Sequence, residues 1–474
     1  MVWQRALGAV YLVAFVTVVH QWLPLLGERG LLPVGDFVRR ISFWQSPSLF
    51  YLAPKNWAFL LAGWMGVALA ILAISGISER FGIWVSMAVW GAMWILQVSF
   101  VNVGQTWYSF GWETLLAEAG FLTIFLGDAK TAVPTMVIWL LRWLLFRVMF
   151  GAGLIKMRGD ACWRDLTCLV YHYETQPMPN PLSWFFHQSP KWIHQAGVVF
   201  NHLAELAAPW TLFFRGRIAA IGGLATLGLM GMIFASGNLA YLNFLTLILA
   251  IPAFSDQFLG KFLHIAVPQN LVVLPWHNTT TIVLAVLVAL LSIRIVINLL
   301  SPTQAMNASF EPLHLVNTYG AFGSITRPRY EVVIEGTYET KVRENTRWFE
   351  YEFGGKPGNV KKMPPQIAPY HLRLDWLMWF AAFSTPNQHP WLTHLMEKLL
   401  LGDKGVLSLM QANPFGDRPP KMVRAILYEY HFTTPEEKKR TGAWWSRTPV
   451  RLYYPQVSLD NPQFMDLVHR MGWN

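Results

Sequence analysis

Charge is what this sequence has little of. Only 14% of its 474 residues are Asp, Glu, Lys or Arg, where a soluble protein carries about 25%. The shortfall is uneven. Residues 1–300 hold 17 Lys+Arg and 11 Asp+Glu, whereas residues 301–474 hold 20 and 16. The net charge of +10 therefore splits as +6 and +4. Neither part has the clustered Lys and Arg that phosphate backbones require, so nucleic acid is a poor partner. Cysteine is scarcer still, at two residues, Cys162 and Cys168. No glycine-rich phosphate loop, serine nucleophile elbow or His-Glu-x-x-His motif occurs, which withholds the parts of several common chemistries.

What is abundant is apolar. Hydrophobic residues make up 54% of the chain, with 24 Trp and 15 Tyr, residues that favour membrane interfaces. Runs able to cross a bilayer, which needs about 20 apolar residues, occupy 5–26, 57–78, 83–103, 131–155, 218–235 and 279–300. Weaker candidates are 107–127, 200–214 and 238–254, each shorter or carrying a charge. The fold class expected is a polytopic α-helical membrane bundle of about 8–9 helices, residues 1–301. A soluble, β-rich extra-cytoplasmic domain, residues 302–474, follows it. The first run lacks a small-x-small cleavage site in Gln21–Gly30 and reads as a signal anchor.

Nine crossings put the two chain ends on opposite sides. Arg80, Lys130, Arg215, Arg217 and Lys261 then fall in inside connectors, and the long 28–56 and 156–199 loops and the tail lie outside. The positive-inside bias supports the N-terminus in the cytoplasm. In the tail, 330–338, 348–353, 422–431 and 450–454 alternate like strands, and 372–383 and 391–401 look helical.

Arg142, Arg147, Lys156, Glu113, Glu118, His202 and Glu205 lie in or beside apolar runs. A charge at the bilayer centre costs about 2.5–3.5 kcal/mol or more, so such groups face a cavity or one another. One reading is a polar cavity in which Lys156 acts as a base supported by Glu118 or His202, with Glu205 a further candidate. Burial would lower the lysine's pKa, which nearby Asp160 would oppose. The other reading is a set of interhelical ion pairs. Arg142 and Arg147 stand about 140° apart on a helix and need not share a partner; His202 and Glu205 share a face.

Cys162 and Cys168 fall on the outer side and form a candidate disulfide, with redox exchange towards other proteins as the sharper alternative. No cofactor or metal is expected. Tyr171, His172, Tyr173 and Glu174, followed by the Pro-rich 176–181 stretch, form a stiff segment. It reads as a client-binding edge or lid, or as a loop packed under the tail.

Two groups of motifs resemble a known family. The first is GAGLIKMRGD, CWRDLTCL, YHYETQPMPNPLSW and NHLAELAAPW within Arg142–Trp210. The second is VNTYGAFGSITRPRYEVVIEGT and WFEYEFGGKPGNVKKMPPQIAPYHLRLDWLMWFAA in the tail. Both are similar to the lipase maturation factors. The resemblance implies a membrane-anchored factor that assists secreted lipase-like clients and is surrounded by membrane lipids. Its setting would be a bacterial inner membrane with a periplasmic tail, or an endoplasmic reticulum membrane with a lumenal one. A fainter similarity links AGLIKMRGDACW to the lysine-bearing segment of vitamin K-dependent carboxylases. Lys156 matches the second lysine there, and Ile155 stands in place of the first. That match implies shared membrane architecture more than shared chemistry; the alternative, an enzyme acting on a lipid or quinone-like substrate, rests on the intramembrane charges around Lys156.

Overall fold

The computed structural model describes residues 1–471, so the last three residues of the expected 302–474 part lie outside the described residues. Six helices are long and apolar enough to cross a membrane: α1 (Val2–Leu26), α2 (Asn56–Ser75), α3 (Ile83–Val103), α5 (Thr135–Arg158), α7 (Arg217–Ser236) and α9 (Pro275–Leu300). Each has at least 20 residues, or about 30 Å of helix, the thickness of a hydrocarbon core.

The three weaker runs are composite. A 3-10 turn at Gln105–Tyr108 leads into the 13-residue α4 (Gly111–Thr123). Helix α6 (Lys191–His202) passes into a π-helical turn, Leu203–Ala207, and a 3-10 turn, Ala208–Phe213. The eight-residue α8 (Leu242–Leu249) runs into a 3-10 turn at Ile251–Ala253.

These pieces still traverse the bundle, because their two ends bond to opposite ends of it. At the N-terminal end, Trp3 donates to Thr123 Oγ1 at 2.8 Å and Gln4 to Gly127 O at 3.1 Å. Arg142, near the start of α5, donates to Phe214 O at 2.7 Å and Pro252 O at 2.8 Å. At the other end, Trp107 O, Asn201 and the α7–α8 turn meet the tail and the C-terminal end of α5. Among the described residues the chain thus passes nine times, and α1 starts at the end opposite the tail.

The tail carries a four-stranded antiparallel sheet of β1 (Arg329–Thr337), β2 (Phe349–Glu350), β3 (Met422–Phe432) and β4 (Trp445–Val457), in the order β2-β1-β3-β4. Helices α10 (Arg373–Ala381) and α11 (Pro390–Leu400) lie between this sheet and the bundle. The alternation in 330–338 implies one wet face. Instead β1 is buried on both, carrying Arg329, Glu331 and Glu335 inside: α10 packs on its Val332 and Ile334 face, and the outer loop 156–199 packs on the Arg329 and Val333 face.

Candidate functional site

Every charged group that the sequence places inside the bundle has a partner, and several partners come from the tail. Glu113, on α4, is fully buried. Its Oε1 lies 2.6 Å from Nη2 of Arg373, the first residue of α10. Its Oε2 accepts from Tyr241 Oη at 2.5 Å and Gln97 Nε2 at 3.2 Å. Arg373 also donates to Trp107 O at 2.6 Å and lies 3.5 Å from the Tyr108 ring centre. A tail residue therefore completes a charge network in the bundle interior.

Glu118, one turn further along α4, pairs with Arg147 of α5. Its Oε2 also accepts from Asn317 N at 3.0 Å, Asn317 Nδ2 at 2.9 Å and Tyr319 Oη at 2.7 Å. Arg147 returns a bond to Asn317 O at 2.8 Å. The segment after α9 thus dips back to saturate the pair, which offsets the desolvation that makes isolated buried charges costly. Arg142 faces another way and donates to the carbonyls of Leu212, Phe214 and Pro252.

Lys156, near the end of α5, is buried and points at the α6 segment. Its Nζ donates to Asn201 Oδ1 at 2.9 Å and to Glu205 Oε1 and Oε2 at 2.6 and 2.8 Å. The π-helical turn presents Glu205. Trp163 covers the ammonium at 4.8 Å. A cavity of about 50 Å³ lies alongside, lined by Lys156, Trp163, His172, Tyr173, Leu229 and Met232, among others.

The expected supporters of Lys156 are elsewhere. Glu118 belongs to Arg147, and His202 bonds Trp163 O at 2.9 Å through Nε2. Asp160, expected to oppose the lysine's shift, is held by Arg327 at 2.8 and 2.9 Å. The Arg327 guanidinium keeps the Asp160 carboxyl well below the usual carboxylate range. All three donor positions of Lys156 are taken up by Asn201 and Glu205. The geometry is that of an ion pair, and α5 carries two of them a few turns apart.

The motifs that drew attention in the sequence are where bundle and tail meet, and their relatives place them. The family model of the lipase maturation factor transmembrane domain matches residues 1–261, and that of the lipase maturation factor C-terminal domain matches residues 315–455. The chain belongs to the lipase maturation factor family. It is 42% identical over 496 residues to lipase maturation factor 1 of Bos taurus, covering 96% of this chain and 88% of that protein. The Homo sapiens lipase maturation factor 1 is 42% identical over 512 residues, covering 99% and 89%. Lipase maturation factor 2 of Mus musculus is 30% identical over 608 residues, covering 99% and 84%. No solved structure matches.

Family motifs from the two halves interlock. Arg329 of β1 donates to the carbonyls of Glu174 (2.7 Å), Gln176 (2.5 Å) and Pro177 (3.1 Å). Glu174 in turn accepts from Phe432 N at 2.5 Å. Asn238, between α7 and α8, donates to Pro179 O and Pro365 O and accepts from Ile367 N and Ala368 N. Gly355 of the FGGKPGN motif packs so closely on Met178 that a Cβ would sit 2.6 Å from its sulfur. Tyr171 lies under Arg327 at 4.7 Å, His172 against Phe322, and Tyr173 on Phe186. The Tyr171–Glu174 strip thus meets the tail through Tyr171, His172 and Glu174, and its His172 and Tyr173 also line the cavity beside Lys156.

Cys162 and Cys168 form a disulfide, and both are buried with Trp163, Val198 and Ile325. Burial of both sulfurs leaves no route for a client thiolate, which exchange requires. Residues that sequence reasoning missed are Arg373, Asn317, Tyr319, Arg329 and Asn238. Arg329, Glu331 and Glu335, charged residues inside the apolar-looking strand RYEVVIEGT, were the available signal.

Proposed function

We propose that this chain is a membrane-anchored maturation factor that assists the folding or assembly of secreted lipase-like clients. The observation that carries the reading is similarity along nearly the whole chain, in both halves, to proteins named lipase maturation factors. The interlocked tail and outer loop offer clients a broad, fixed surface beside the membrane. Nothing in the geometry of Lys156 favours the enzyme alternative.

The tail lies outside the cytoplasm in this reading. Arg80, Lys130, Arg215, Arg217 and Lys261 support it, since all sit in connectors at the bundle end opposite the tail, as the positive-inside bias requires. The compartment beyond the membrane is periplasm if the source is bacterial and the endoplasmic reticulum lumen if it is eukaryotic. Lipids surround the bundle along stripes such as Trp192, Val199, Leu203 and Trp210, all exposed.

The test is to express a secreted lipase in cells lacking their own factor, with and without the full chain, and measure lipase activity per mass of secreted lipase. The reading expects a rise with the chain present. Equal specific activity with the chain folded in the membrane would overturn it.

A further inference from the structure

A cavity of about 490 Å³ lies at the outer end of the bundle between the first outer loop and helix α11. Its volume is within the roughly 300–1,000 Å³ range of small-molecule sites. The hydrogen bond of His394 on α11 to Leu31 O, 3.0 Å, joins the two walls.

The lining holds four cationic side chains, Arg29, Arg39, Lys55 and Lys398, against two carboxylates, Glu28 and Asp36. Both carboxylates are already neutralised: Glu28 by Lys55 at 2.9 Å and Asp36 by Arg39. Arg29 forms no salt bridge among the described residues, its charge bearing on Glu28, and Lys398 is 3.7 Å from Asp403 and beside Glu397. With Asp403 set against Lys398, the cleft keeps one positive charge, that of Arg29, beyond the carboxylates paired with its cations.

Its depth is fixed by neighbouring elements. Glu28 follows the end of α1 by two residues, and Lys55 immediately precedes α2. Exposed Trp57 begins the outward face of α2, and exposed Trp44 and Leu52 lie on the same outer loop. Ser48 Oγ ties that loop to Ser99 O inside α3 at 2.9 Å. Exposed Trp at a helix end marks the headgroup layer. Lys55 of the cleft wall stands two residues before that Trp57.

We propose that this cleft binds the phosphate-bearing headgroup of an anionic phospholipid from the leaflet on the tail's side, with Arg29 and Lys398 as the phosphate-facing cations. The recognised chemistry is a phosphodiester. The lipid, rather than a free phosphate, is the source because the Lys55 wall of the cleft adjoins exposed Trp57 at the start of a helix long and apolar enough to cross the membrane.

The test uses the full chain in neutral detergent, titrated with short-chain phosphatidylglycerol, phosphatidylcholine or soluble glycerol 3-phosphate, with binding read by native mass spectrometry. Phosphatidylglycerol should bind about tenfold more tightly than phosphatidylcholine, given the attraction of each basic residue for anionic lipid. Arg29→Gln/Lys398→Gln should abolish that preference. Changing the exposed basic pair elsewhere in the tail, Lys439→Gln/Arg440→Gln, should leave it intact. Should the cleft double variant fail to fold, Arg29→Gln alone, at an exposed position, should still cut the preference severalfold. Absence of any preference in the unchanged protein overturns the proposal. So does equal loss in the tail variant, or binding of glycerol 3-phosphate as tight as that of the lipid. Displacement of the lipid by an acidic peptide that itself binds more tightly would reassign the cleft to a protein partner.

Discussion

Arg373 and Glu113 are 260 positions apart in sequence, yet their charged groups meet at 2.6 Å, both fully buried. The carboxylate belongs to a membrane helix and the guanidinium to the tail. Removing one partner leaves an uncompensated buried charge, which costs about 3–5 kcal/mol. Arg373→Met and Glu113→Gln should each lower the thermal unfolding midpoint strongly. The double variant should lose less than the sum of the two, as a double-mutant cycle in detergent would show.

The same logic sorts the Lys156 pair. Lys156→Met alone strands Glu205 and should reduce stability by about 3–5 kcal/mol. Lys156→Met/Glu205→Leu should recover much of that loss and still raise lipase specific activity in the co-expression assay. A stable double variant without maturation activity would instead give Lys156 a chemical role.

Breaking the disulfide should cost stability without changing what the folded protein does. The loop closed by Cys162 and Cys168 is short, so Cys162→Ser/Cys168→Ser should lose about 2 kcal/mol in the loop-entropy picture. Lipase activation per folded molecule should be unchanged, measured by normalising activity to membrane-extracted protein. Complete loss of activation with normal folding would point to thiol exchange.

Acid should weaken the outer half. Burial pushes His172, His314 and His394 down to about 4, from an ordinary value of about 6.5. These rings are neutral in the folded state and gain protons on unfolding. Their contribution is complete above about pH 6.5 and declines as pH falls from there towards 4. The unfolding midpoint should drop between pH 7 and 5, and His172→Phe should flatten part of that slope. A midpoint independent of pH across this window would contradict the assignment.

Much of this was legible in the sequence because it is local. Strands 330–338 and 422–431, helices 372–383 and 391–401 and the six long membrane helices follow from periodicity and apolar length, and the structure has them within a few residues. Cys162 and Cys168 were legible as a pair because no other cysteine competes. The partners of Glu113 and Glu118 were not, because Arg373, Asn317 and Tyr319 reach them across 199 or more positions and nothing local marks that closure. The composite crossing at 191–213 was seen only as a weak span, since a π-turn carrying Glu205 and a 3-10 turn at Pro209 depart from the 3.6-residue period.

The interlocking also changes what a truncation reports. Deleting residues 302–474 takes Arg373 from Glu113 and Asn317 and Tyr319 from Glu118 along with the tail, so the bundle itself should be destabilised. Single surface substitutions on the tail are the informative way to map client contacts.

The central structural claim is that bundle and tail are one cooperative body. Hydrogen exchange of the detergent-solubilised chain along a thermal ramp tests it most directly, following α4 and strands β1 and β3 together. The account predicts that all three lose protection at one midpoint, and that Arg373→Met lowers that midpoint for α4 as well as for the strands. Early loss of protection in β1 and β3, with α4 still protected and unaffected by Arg373→Met, would contradict it.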